Sequence, residues 1–555
     1  MTFSFRHTLS IVGCQKQNPK IIIVPPKTSQ FPPESAGKLF LDRLKTHKPD
    51  AVAFLEITTD ISCTYGDLVT KSVNFAINLR RTLGIVPHDT VAILGNYSHK
   101  FWVAALACLY LAAPFHLLNP EYTIYELKRY LMMSEPKVVI CSKQAVPNFQ
   151  SLRDECTFIQ SIVVCDDDDD DDNGNSAVIL FKDLVRDNQD VSFEPEKVTD
   201  IDDRVAFIVN SSGTTGLPKA VMVTHANLRL NISHAEDPDL YPYHSKSVLL
   251  HVMFFHHIHG FNTCACALHQ GIKMVITDTN CSPETYLGCI EKYKVNKLFV
   301  VPIMVDQLAT NPLVDQHDVS SVEEIYSAGS TLPHPIHDKV LKKFKIKSVR
   351  QIYGATEIGA AVCISPLGSF IPGSCGKVTP GNSLKIVDIN TGELLGYNQR
   401  GEICVKAATM KGYLKDPESM RAAYDADGFY RTGDVGYYDE DLNVYIIDRL
   451  SDIIKYESHQ VPPAELEDIL LKHPAIKDVA VIGKPDRKGE LAVAFVVKKE
   501  GMDVGEEEIV EFVKKFVTEE KWLHGGVRFV DNIPRNRSGK IGRKDLRQLL
   551  EKELK

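Results

Sequence analysis

Ser211-Ser-Gly-Thr-Thr-Gly-Leu-Pro-Lys219 follows directly on the apolar run Ala206–Val209. Gly213 and Gly216 let a backbone turn so that its N–H groups converge on an anion. The hydroxyls of Ser211, Ser212, Thr214 and Thr215 add donors, and Lys219 adds a positive charge. This is phosphate-cradling chemistry. It is not the Gly-x-x-x-x-Gly-Lys-Ser/Thr loop, because Leu217 and Pro218 separate Gly216 from Lys219.

Outward from that string, helical stretches alternate with short β-branched runs: Thr90–Leu94, Lys137–Cys141, Ser161–Cys165, Arg204–Val209, Lys273–Thr277 and Lys297–Val301. Apolar runs of this length between helices predict a buried parallel sheet and an α/β architecture. From about Gly373 the sequence becomes Gly-rich and strand-dense (Ser383–Val387, Glu402–Val405), as in a small distorted barrel. After Arg449 a compact pattern follows: helix Pro463–Lys472, strands Val479–Gly483 and Leu491–Lys498, helix Glu506–Phe516 and a basic tail helix. The expected organisation is a flexible extension (1–18), a large N-terminal domain (19–448, with the barrel-like part at 373–447), a hinge (449–452) and a mobile α+β C-terminal domain (453–555).

The 555 residues are 44% hydrophobic and 24% charged, a globular composition. The net charge of −9 owes most of its excess to the run Asp166–Asp172, read as a solvated loop. No surplus of basic residues suggests a nucleic-acid partner. The 13 cysteines are scattered without a Cys-x-x-Cys pair, which points to a reducing compartment. The uncharged stretch Phe101–Leu118 is interrupted by Pro114 and reads as a buried core helix, not a membrane span. The acid-free start and the Glu-Leu-Lys terminus carry no clear targeting address, so a cytoplasmic, monomeric protein is expected.

Five separated motifs, in order, resemble the adenylate-forming superfamily of acyl-CoA synthetases, 4-coumarate–CoA ligases and beetle luciferases. They are Ser211–Lys219, Tyr353-Gly-Ala-Thr-Glu357, Tyr430-Arg-Thr-Gly-Asp434, Asp448-Arg-Leu450 and Pro534-Arg-Asn-Arg-Ser-Gly-Lys540. The resemblance covers nearly the whole chain and implies ATP, Mg²⁺ and coenzyme A as cofactors, with a small carboxylic acid as substrate. It implies that the Ser211–Lys219 loop, Gly329, Gln351, Tyr353, Gly354, Asp434, Arg449 and Gln460 bind the cofactors. Thr356 would donate to the α-phosphate, and Glu357 would ligate Mg²⁺ beside Thr214 and Thr215. Lys540 would bridge the substrate carboxylate and the α-phosphate, with Lys455 as a further catalytic lysine. Of the four histidines in His251-Val-Met-Phe-Phe-His-His-Ile-His259, the resemblance selects His257 for the carboxylate site. A metal cluster and a packed core segment are the other readings of that stretch.

The chain departs from the family pattern at several positions. Ile352 stands where a glycine lines the acyl pocket, so a narrower or shorter pocket is expected. Ser451 replaces a hinge lysine. Glu457 and Ser458 replace the lysine and glycine that lie against coenzyme A. The expected activity is a carboxylic acid–CoA ligase acting through an acyl-adenylate. The alternatives are a luciferase-type oxidative enzyme and a binding protein that has lost thioester formation.

Overall fold

The computed structural model describes residues 20–26, 34–95, 98–166, 178–187, 192–211, 219–278, 281–330, 332, 334–456, 459–486, 489–535 and 539–553. Residues 1–18, Asp167–Asp172, Ser212–Pro218, Glu457 and Ser458 lie outside that description, as do the side chains of His459 and Gln460.

Three sheets carry the fold. In the eight-stranded sheet, Phe115–Leu118, Val91–Leu94, Val138–Cys141, Ser161–Val164 and Val178–Leu180 run parallel to Val205–Ser211. The first three of these strands are buried at every position, which explains their unbroken apolar runs. The uncharged stretch splits into helix His99–Tyr110, buried at all positions but Lys100, and strand Phe115–Leu118. It belongs to the core. Among the described residues no helix is long and apolar enough to cross a membrane.

The strand after the phosphate-type loop runs back antiparallel: Lys219–Thr224 pairs with Val205–Ser211, with Ser211 directly opposite Lys219. The loop therefore joins the two strands of a hairpin. Gly412–Tyr413 adds the edge beyond it.

The fifteen-stranded sheet has a parallel part made of Val52–Glu56, Lys273–Ile276, Val248–His251, Lys297–Val300, Glu324–Ala328 and Val349–Gly354. It turns antiparallel at Ala361–Ile364 and Ser374–Val378, then continues into the strands of the barrel-like region, Val444–Arg449, Tyr430–Tyr438, Gly401–Lys406 and Ser383–Val387. The five-stranded sheet lies in the C-terminal part, with helices Pro463–Leu470, Glu506–Lys514 and Arg543–Glu553 packed on its two apolar faces. The result is a mixed α/β protein with a large N-terminal body of sheets and helices and a smaller C-terminal unit.

Candidate active site

The site gathers at the carboxyl ends of two parallel strands, Glu324–Ala328 and Val349–Gly354. Gly329, just past the first, has φ +96°, a conformation that a side chain rarely adopts. A Cβ there would meet nothing nearer than Val301 Cγ1 at 3.8 Å, so the space beside its backbone is open. Gly354 ends the second strand under a different constraint. A Cβ there would lie 2.8 Å from the Ala360 carbonyl oxygen, closer than the returning chain permits.

Between Gly354 and Ala360 runs the turn that carries Thr356 and Glu357. Two helices hold it at one carbonyl: Asn262 Nδ2 donates to Gly359 O at 2.8 Å, and Asn231 Nδ2 donates to the same oxygen. Asn227, which caps its own helix with Thr224, donates to Ile358 O at 3.4 Å. The turn is thus positioned by three amide side chains that no motif names. Glu357 Oε1 accepts from Tyr413 Oη at 3.2 Å, and no hydrogen bond to Oε2 is made among the described residues. A half-buried carboxylate with one open oxygen fits a hard divalent cation.

Asp434 forms the second focus. It is 4% exposed, yet both its oxygens are addressed: Tyr353 Oη donates to Oδ2 at 2.6 Å, and Arg449 Nε pairs with Oδ1 at 2.8 Å. Arg449 also donates to Thr432 O at 3.0 Å, and Thr432 Oγ1 accepts from Asp434 N at 3.0 Å. Asp434 and Arg449 stand opposite each other in adjacent strands, so the pair is fixed by register. A carboxylate has about four acceptor sites. Two remain for hydroxyls of a sugar.

Lys540 reaches this group from the C-terminal unit. Desolvation by the surrounding protein holds its ammonium below the ordinary lysine range, and Arg449 lowers it further, against the opposing pull of Asp434 and Glu357. His257, at the N-cap of helix Ile258–His269, is pushed down to about 4, first by burial and then by Lys540. His256 and His259 fall to about 3 and His251 to about 4, mainly by burial. Four neutral imidazoles result. Among the described residues no cluster of His, Cys, Asp and Glu has the makings of a metal centre.

Lys219 is the described end of the phosphate-type loop, and its Nζ lies 4.6 Å from the centre of the Tyr413 ring. Ser211 Oγ, at the other end, is buried with no hydrogen-bond partner among the described residues. An orphaned hydroxyl at the mouth of the loop suits an anionic ligand. Ser212, Gly213, Thr214, Thr215 and Gly216 lie outside the described residues.

Two of the expected residues have partners of other kinds in the structure. Gln351, expected to bind cofactor, is 4% exposed and spends its amide internally. Its Oε1 accepts from Leu332 N at 2.9 Å and its Nε2 donates to Ser374 O at 2.8 Å. It ties the strand to its flanks. Lys455 is exposed on the C-terminal sheet, where its backbone N–H donates to Glu490 Oε2 at 3.0 Å. No hydrogen bond or ion pair joins it to Asp434, Glu357 or Arg449. Gln460 pairs with Lys455 across a two-strand ribbon. Ile352 stands beside Ala328 at the open end of its strand, half-buried against the main core. Tyr413, Thr432, Asn231 and Asn262 were missed by the sequence reading.

The described part of the site thus brings together a hairpin ending in Ser211 and Lys219, the buried Asp434 paired with Tyr353 and Arg449, and Lys540 from the C-terminal unit. The chain belongs to the AMP-binding enzyme family, whose sequence pattern matches residues 41–414, with the AMP-binding enzyme C-terminal domain at 465–540. It is 36% identical over 546 residues to a luciferin 4-monooxygenase of Nipponoluciola cruciata, covering 97% of this chain and 98% of that one. It is 38% identical over 512 residues to 4-coumarate–CoA ligase 1 of Petroselinum crispum, covering 90% and 91%. Among solved structures, ATP-bound MatB from Rhodopseudomonas palustris superposes with a TM-score of 0.83 at 25% identity, covering 94% of this chain and all of that one. The protein is therefore an adenylate-forming enzyme.

Proposed function

We propose that this enzyme is a carboxylic acid–CoA ligase. The observation that carries the reading is that Lys540, from the C-terminal unit, lies close enough to Arg449, Asp434, Glu357 and His257 to interact with their charges, which brings both parts of the chain to one site. A carboxylate oxygen of the acid attacks the α-phosphorus of ATP. The bond from that phosphorus to the bridging oxygen breaks, and pyrophosphate leaves. Negative charge grows on the α-phosphate oxygens, and Lys540 and Thr356 would stabilise it. His257 stays neutral, so it lines the carboxylate without adding a charge. Asp434 holds the ribose hydroxyls, oriented by Tyr353 and Arg449. Glu357 would hold Mg²⁺, which neutralises phosphate charge when bound. In the second half-reaction the coenzyme A thiolate attacks the acyl carbon, the bond to the AMP oxygen breaks, and AMP leaves. The 4-coumarate–CoA ligase relative, matched over most of both chains, supports this half.

The test supplies ATP, Mg²⁺ and a size-graded panel of carboxylic acids, with and without coenzyme A. AMP and an acyl thioester are expected only when coenzyme A is present, with pyrophosphate exchange in its absence. Exchange with no thioester would refute the ligase reading. Oxygen uptake dependent on an acyl-adenylate would favour an oxidative enzyme, as in the luciferin 4-monooxygenase relatives.

A further inference from the structure

Strand Gly412–Tyr413 pairs with Lys219–Thr224, Tyr413 standing opposite Val221, and Leu414 N donates to Ala220 O at 2.8 Å. The pairing brings a tyrosine from far along the chain under the end of the phosphate-type loop. Tyr413 is 8% exposed and its hydroxyl also hydrogen-bonds Tyr430, so it has little room to swing away. One face carries the Lys219 ammonium at 4.6 Å, while the hydroxyl donates to Glu357 Oε1 at 3.2 Å. Lys219 and Glu357 have opposite charges and touch the same side chain, yet no ion pair joins them.

We propose that Tyr413 is a positioning residue that holds Lys219 and Glu357 apart and aims each at a different part of Mg·ATP. The proposal rests on the reading that Lys219 meets the phosphates and Glu357 the cation. The ring keeps a flexible four-carbon side chain from sampling solvent or collapsing onto the carboxylate, through a partly desolvated cation–π contact. The hydroxyl fixes one carboxylate oxygen and so turns the other outward. A phenylalanine would do only the first of these tasks, and an aliphatic residue neither.

The experiment is calorimetric titration of the full chain with ATP, with and without Mg²⁺, on wild type, Tyr413→Phe and Tyr413→Leu. Tyr413→Phe should leave the Mg²⁺-free ATP Kd within about twofold. It should raise the Mg²⁺ concentration giving half-maximal tightening about fivefold, the effect of one hydrogen bond. Tyr413→Leu should show the same Mg²⁺ shift and also weaken Mg²⁺-free ATP binding about threefold, the effect of the lost ring contact. A Tyr413→Phe protein indistinguishable from wild type would overturn the proposal. So would equal losses of both properties in the two variants, which would mean packing alone. Tyr413→Phe is nearly isosteric and keeps the test valid if the leucine variant does not fold. If wild-type ATP affinity ignores Mg²⁺, the reading of Glu357 falls, and the proposal falls with it.

Discussion

His116 sits in the middle of strand Phe115–Leu118 with no exposed surface. Its Nε2 donates to Asn210 Oδ1 at 3.1 Å, and its Nδ1 has no hydrogen-bond partner. Burial pushes the imidazole down to about 4. The unfolded chain takes up the same proton near pH 6.5, so between pH 6.5 and 4 the unfolded state binds more protons than the folded one. Stability contributed by this group is complete above pH 6.5 and is lost as pH falls towards 4. Between pH 7 and 5 the loss comes to about 2 kcal/mol. His225 and His251 are equally enclosed, and burial takes both to about 4. The three together cost about 5 kcal/mol over that interval, comparable to the net stability of many domains. The assay is guanidinium unfolding at pH 7 and pH 5, read by the fluorescence of Trp102, which is buried and stacked on Phe261. In His116→Gln the drop between the two pH values should be smaller than in wild type by about 2 kcal/mol. Carboxylate contributions cancel in that difference. Identical drops in the two proteins would show that the folded state protonates His116 near its ordinary pKa, and would refute the reasoning.

Lys540→Ala should abolish acyl-adenylate formation, seen as loss of pyrophosphate exchange, while the ATP Kd stays within a few fold, because the lysine answers charge that grows in the transition state. Wild-type exchange rates in the variant would remove Lys540 from the chemistry. Ile352→Gly should extend the accepted acids towards bulkier chains, since it removes a half-buried side chain beside Ala328 at the open end of its strand. A kcat/KM profile across the acid series that is unchanged by the substitution would show that the pocket lies elsewhere.

The parallel sheets were legible because strands buried on both faces leave continuous apolar runs. Lys273–Thr277 was expected where Lys273–Ile276 forms, and Ser383–Val387 coincides with its strand. Strand Val52–Glu56 carries such an apolar run but went unread, as did its partner Ile61–Thr64, whose first two residues are exposed. Nor did the sequence reveal that Lys219–Thr224 turns back on Val205–Ser211, since antiparallel and parallel partners use the same β-branched residues. Asp434 and Glu357 stood out because their motifs surround them with glycine and threonine. The internal partners of Gln351, whose amide is taken by Leu332 and Ser374, could not be read from the sequence, since only tertiary structure brings those residues near. Tyr413 gave no signal at all. Its role depends on a strand pairing between segments far apart in sequence, and a lone Gly-Tyr dipeptide does not encode that.

The hairpin that frames the phosphate-type loop separates two properties that are usually entangled. Ser211 and Lys219 are held face to face by the ladder of Val205–Ser211 with Lys219–Thr224, whatever lies between them. An insertion there would leave every rung of that ladder in place, and doubling the connection would cost only about 0.6 kcal/mol of closure entropy. The scaffold is therefore tolerant of length at the place where nucleotide recognition demands one spacing. Natural or engineered variation in this segment can silence or retune the chemistry without unfolding the protein, which makes it a soft point for divergence within an otherwise rigid frame.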